Sequence, residues 1–175
     1  MFRKKSTIEI KSADQLAVMR AAGLVVATTL QAISTEARPG VTTATLDELA
    51  RDFLADNGAT SSFLHYRAHG AVPYPGVICA SVNEEVVHGI PGPRKLREGD
   101  IVGLDLGCIV DGFFGDAART VAVGRAGEGA QRRGGHQPAV AGGAHLEDLV
   151  REHGQERERA REEGGEEVEA RRPDH

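Results

Sequence analysis

A chain of 175 residues is long enough for one domain with a sizeable core. Its formal charge of −5 at pH 7 excludes a general electrostatic affinity for nucleic acid or anionic membranes. Arg3, Lys4 and Lys5 begin like a signal peptide, but STIEIKSADQ follows in place of an apolar stretch. No run is expected to reach the ~20 apolar residues of a membrane span, so the expected compartment is the cytoplasm.

Ser12 opens the first predicted helix, with Gln15 three residues on to complete a capping box. Leu16, Met19, Val26, Leu30 and Ile33 recur on one face, and Gly23 shares that stripe, where it suits close helix packing. Pro39-Gly40 marks a turn. A second helix is predicted from about Thr43 to Asn57, with Leu46, Leu49, Phe53 and Leu54 inward and Gly58 just past its end. Ser61 to Gly76 mixes aromatic, His, Gly and Pro residues and reads as an irregular loop. Val77 to Val82 reads as a strand buried on both faces, and Glu85 to His88 as a second, short strand ended by Gly89. Ile90-Pro91-Gly92-Pro93 is a rigid turn, followed by a charged loop to Gly99. Cys79 and Cys108 lie in apolar strand-like runs and read as buried reduced thiols.

Asp100 to Gly124, DIVGLDLGCIVDGFFGDAARTVAVG, reads as a β-hairpin with one aspartate on each strand, Asp105 and Asp116. A turn at Val110-Asp111 sets Asp105 directly opposite Asp116. A turn at Asp111-Gly112 sets it opposite Ala118, with Asp116 as its diagonal neighbour. Side chains alternate with period two, so both registers put the carboxylates on one face. Carboxylates roughly 5–8 Å apart repel unless a proton or cation lies between them. The pattern therefore suggests a metal pair.

Beyond Gly124 the composition changes. Residues 125–175 are mostly Gly, Ala, Arg and Glu, with few large aliphatic side chains and no Lys. Such a segment cannot offset a backbone ordering cost of about 1–2 kcal/mol per residue, so it is expected not to pack on the first 124. His136, His145, His153 and His175 lack paired ligand spacing and read as solvated. Glu147 to Arg172 could form a fraying helix with i,i+4 pairs of ~0.2–0.5 kcal/mol each, but it has no apolar stripe to dock. A reading frame shifted near Gly124, divergence or truncation would each give this mixture.

The motifs NEEVVHGIPG, LREGDIVGLDLG and DGFFGDAARTVAVG, in this order and spacing, resemble the type I methionine aminopeptidases. The resemblance runs from about Ser6 to Gly124. It implies an α/β (α+β) pita-bread fold, of which 1–124 would be the N-terminal half of the catalytic domain and 125–175 a low-complexity tail. It implies two divalent metal ions (Co, Mn, Fe or Zn) on Asp105 and Asp116, and a catalytic, substrate-binding role for His88. Part of the 61–76 loop would form the pocket for the substrate's N-terminal side chain, with Tyr66, His69 and Tyr74 as candidates. The implied reaction is hydrolytic removal of methionine from nascent polypeptide N-termini, at or near the ribosome, by a monomer. The resemblance also implies a His and two Glu ligands from a second half, one Glu acting as general base, and no match for them is found here. Two aspartates alone should hold metal weakly. The expected function is thus a metal-dependent methionine aminopeptidase with this chain's own competence in question. The alternatives are an inactive binding module of the same fold and the defective product of a disrupted gene.

Overall fold

The computed structural model describes residues 9–67 and 71–124. Its elements are α1 (Ala13–Glu36), α2 (Thr43–Asp56), β1 (Thr60–Ser61), β2 (Ile78–Val82), β3 (Ile101–Val110) and β4 (Phe113–Ala122). His69, the whole of 125–175 with its four histidines, and the expected Glu/Arg helix lie outside the described residues.

The expected capping box starts α1: Gln15 N–H donates to Ser12 Oγ at 3.2 Å, and Ser12 N–H to Gln15 Oε1 at 2.8 Å. Such a cap contributes about 1 kcal/mol. The helix buries Ala22, Val26, Thr29, Leu30 and Ile33, and it packs against β3 and β4. Two expectations are corrected here. Leu16 and Met19 stay 54% and 39% exposed, because no residue of α1 before Ala22 is buried. The close approach is also made by a different glycine. A Cβ on Gly23 would meet open space, whereas one on Gly115 of β4 would lie 2.6 Å from the Ala22 carbonyl oxygen. A third expectation, that no segment is a candidate membrane span, is corrected too. By length and composition α1 could cross a membrane, although its Ala22–Ile33 face is covered by the sheet.

Thr42 caps α2, its Oγ1 accepting from Thr45 N–H at 3.1 Å. Leu46, Ala50, Phe53 and Leu54 are buried and Leu49 half-buried, close to the expected stripe. Asp47 is buried among them. Its Oδ1 accepts from the N–H groups of Val77 at 2.6 Å and Ile78 at 3.0 Å, and Arg51 pairs with its Oδ2 at 3.2 Å. A buried carboxylate is tolerated because it is satisfied in this way, and it fixes where β2 begins.

Among the described residues all sheet pairings are antiparallel and all are made with β3. On one side β4 pairs with its whole length; on the other, β2 pairs with Val102–Leu106 and β1 with Cys108–Ile109. Among the described residues β3 is the one partner of β4. The hairpin turns at Asp111 (φ 47°) and Gly112 (φ 80°), both left-handed, as a two-residue turn with the right strand twist requires. Alternate β3 residues Val102, Leu104, Leu106 and Cys108 are fully buried with Ile78, Val82, Leu46 and Ile33 in one core.

Glu85 to His88 is not a strand. Asn83 (φ 59°) turns the chain out of β2, and Glu85 Oε2 accepts from Val82 N–H at 2.8 Å. Val86 and Val87 are left 89% and 64% exposed, and among the described residues no strand pairs with them. The adjacent valines favour a strand, but local hydrogen bonding won.

The two glycines predict opposite outcomes. Gly115→Ala should lower stability by about 1–3 kcal/mol, since the added methyl meets backbone that cannot yield cheaply. Gly23→Ala, in open space within a helix, should raise it by roughly 0.5–1 kcal/mol. Urea denaturation of both variants measures the pair.

Candidate functional site

The observed turn selects the second of the two hairpin registers. Asp105 pairs with Ala118 and Asp116 with Gly107, so the carboxylates are diagonal neighbours on one face. Diagonal positions lie roughly 7–8 Å apart. The face is the one turned away from α1. Ile109 and Phe114, opposite each other, share it, and so does Cys79, which β2 sets directly opposite Asp105.

Beside this face opens a cavity of about 740 Å³. Phe63, Tyr66, Ile109 and Phe114 form its apolar wall. Tyr74, Cys79, His88 and Asp105 form its polar end. The loop over the cavity is closed by backbone pairing, His65 N–H to Tyr74 carbonyl at 2.8 Å and Tyr74 N–H to Tyr66 carbonyl at 2.9 Å. Tyr66 and Tyr74 are thus brought to the cavity as the sequence proposed. His88 reaches it from a loop rather than a strand, with a left-handed backbone at φ 59°. Asp116 is exposed beside it on β4.

Charge is unbalanced at the polar end. Burial holds the Asp105 carboxyl above the usual carboxylate range, and the neighbouring Asp116 pushes it further; His88 and the Leu106 N–H oppose the rise. Burial also raises the Cys79 thiol, with Tyr74 opposing through a hydrogen bond and Asp105 and Asp116 adding to it. Burial raises Tyr74 strongly as well, so its phenol stays protonated. Both cysteines are free and buried.

Among the described residues no group of three His, Cys, Asp or Glu side chains is gathered closely enough to hold a metal ion. Asp105 and Asp116 still fit a divalent cation as a pair of oxygen donors. The raised proton affinity of Asp105 marks the positive charge that this face lacks, which a cation would supply. Cys79 was not legible as a site residue. Cys79 could have been placed by its pairing with Asp105, had the order of strands been known. Ile109 and Phe114 share the parity of the two aspartates and could have been found from that alone.

The sequence model of metallopeptidase family M24 matches residues 17–154. A methionine aminopeptidase of Clostridium acetobutylicum is 47% identical over 126 residues, covering 71% of this chain and 48% of that protein. Methionine aminopeptidase 1 of Mycobacterium tuberculosis is 47% identical over 123 residues, covering 70% of this chain and 44% of that protein. The crystal structure of methionine aminopeptidase from Rickettsia prowazekii superposes with a TM-score of 0.67 at 36% identity, over 72% of this chain and 49% of that one. The chain therefore spans about half the length of the curated relatives it matches. The fold of its described residues is correspondingly half of the pita-bread fold.

The raised proton affinity of Asp105 has a consequence for stability. Between the unfolded-state carboxyl value and the higher folded one, the folded chain binds more protons than the unfolded chain. Its stability accordingly falls as pH rises through that window and stays lower above it. In metal-free buffer, Asp105→Asn should be more stable than the unaltered chain at neutral pH. The difference should vanish below the ordinary carboxylate range. Urea midpoints across a pH series check this; a variant less stable at pH 7 would contradict it.

Proposed function

The chain belongs to metallopeptidase family M24, and from that membership we propose that it carries half of a methionine aminopeptidase site, which removes N-terminal methionine from polypeptides by metal-dependent hydrolysis. The family implies divalent metal ions. One observation carries the proposal: Asp105 and Asp116 share a sheet face, and Asp105 and His88 line one cavity.

Asp105 and Asp116 would hold the ions, and Mn, Fe, Co and Zn all accept carboxylate oxygen. Bound there, such ions supply Lewis acidity toward a peptide carbonyl and a nucleophilic water at neutral pH. The remaining chemistry belongs to the side chains. The wall of Phe63, Ile109 and Phe114 receives the apolar side chain of the substrate's first residue. A free α-amine suits the anionic end of the cavity, which favours an exopeptidase over an endopeptidase. His88 at that end donates a hydrogen bond to the substrate amide and orients it. Two aspartates leave most coordination positions to water, so metal binding by these residues alone is weak. We take the substrates to be nascent chains at or near the ribosome, in the cytoplasm, with the protein acting as a monomer. The free thiols of Cys79 and Cys108 support a reducing compartment.

The test joins the C-terminal half of the M. tuberculosis relative after Gly124 and measures methionine release from a Met-Ala-Ser peptide with added Mn²⁺ or Co²⁺. The joined protein should turn over. Asp105→Ala or Asp116→Ala should abolish release, and His88→Ala should lower it about 10²-fold or more. The unjoined chain should release methionine near the background rate, because losses within one catalytic unit are not additive. A folded joined protein that releases none, or whose release ignores Asp105→Ala, would sink the proposal. Peptide binding without release would instead favour a binding module.

A further inference from the structure

The Tyr74 hydroxyl does not face the cavity as a free polar group. It lies 3.1 Å from the carbonyl oxygens of both Ile78 and Gly89 and donates between them. Gly89 follows His88 directly, and it is held on β2 from several directions. Its carbonyl also accepts from Ala80 N–H at 2.8 Å, and its own N–H donates to Ser81 Oγ at 3.1 Å. A Cβ at Gly89 would overlap the Ala80 carbonyl, so the loop presses directly on the strand. His88 meanwhile adopts a left-handed backbone, φ 59°, that a non-glycine residue holds only when its surroundings compel it. Val86 and Val87, on the other side of it, are exposed and supply little packing. The restraint on His88 therefore comes from the Gly89 side.

We propose that Tyr74 is a positioning residue for His88: its hydroxyl ties the Gly89 carbonyl to the start of β2 and so fixes the turn that presents the imidazole to the cavity. Tyr74 suits this task for two reasons. Its backbone is anchored independently, donating to the Tyr66 carbonyl and accepting from His65 N–H. Its phenol, raised by burial, remains a donor at every working pH. One side chain thus links the loop over the cavity, the strand under it and the His88 turn, so that the cavity wall and the histidine move together. The functional meaning rests on the reading of His88 as the group that touches substrate; the restraint itself does not.

Tyr74→Phe keeps the ring and deletes the hydroxyl. Nuclear magnetic resonance of the full chain reads the result without any need for turnover. The His88 imidazole signals should shift or broaden. The Ala80 amide, bonded to the same Gly89 carbonyl, should exchange about 5-fold faster, the equivalent of one lost neutral hydrogen bond. Amides of the β3–β4 hairpin, in the same sample, should keep their rates. Unchanged His88 signals would overturn the proposal. So would a uniform acceleration that includes the hairpin, or loss of the folded spectrum, since either would give Tyr74 a role in global stability alone. A change confined to Ala80 and residues 87–90, combined with failure of the methionine-release test, would leave the restraint standing and remove only its catalytic meaning.

Discussion

The register between β3 and β4 is the constraint on which the site depends. A strand shifted by one residue exchanges its two faces. Here such a slip would turn Asp116 toward α1 and bring Ala117 to the carboxylate face. Two unrelated devices forbid it. The Asp111-Gly112 turn supplies the left-handed backbone that a two-residue hairpin needs. Some residues away, Gly115 lies so close to the Ala22 carbonyl that any side chain there would press on the helix backbone. The neighbouring positions carry a Phe114 side chain and the Asp116 carboxylate, neither of which could take that place. Helix docking and strand pairing thus enforce the same alignment, and the carboxylate pair inherits its geometry from both.

Asp47 and Asp105 show how one residue type serves two ends. Asp47 is the more buried, yet two backbone N–H groups and Arg51 surround it, and it serves as a fixed joint between α2 and β2. Asp105 has the Leu106 N–H and the distant help of His88, against burial and a second carboxylate. A carboxylate left under-compensated on a strand is costly, and such costs gather where a ligand is meant to supply what is missing.

Regular repetition made much of this legible in the sequence. The Ser12–Gln15 box, the α2 stripe, the buried β2 run and the parity of Asp105 and Asp116 each follow from a period or a cap within a few residues. The misses share a different cause. Leu16 and Met19 fit the helical stripe, but whether a stripe is covered depends on where the sheet stops. Glu85–His88 carries two β-branched valines like a strand, but an Asn83 turn and a carboxylate reaching back to Val82 pre-empted pairing. The loop of 61–76 could be recognised as irregular, but the pairing of Tyr74 with both His65 and Tyr66 has no sequence period to announce it. Asp47 and Cys79 gain their roles from residues some 30 and 26 positions away, respectively, which no local pattern can reveal.

Among the described residues every pairing in this sheet is made with β3, and that fixes an order of events as the chain leaves the ribosome. The helices α1 and α2 and the strands β1 and β2 emerge first, but none of the strands has a partner until Ile101–Val110 is out. During that interval the Ile78–Val82 run is an exposed apolar segment, the kind of surface on which folding chains associate wrongly. Synthesis adds about 5–20 residues per second, so β3 stands clear for on the order of a second before β4 is complete, long enough for β1 and β2 to pair with it. Asp116 therefore reaches Asp105 last, carried by β4 onto a sheet edge that is already made.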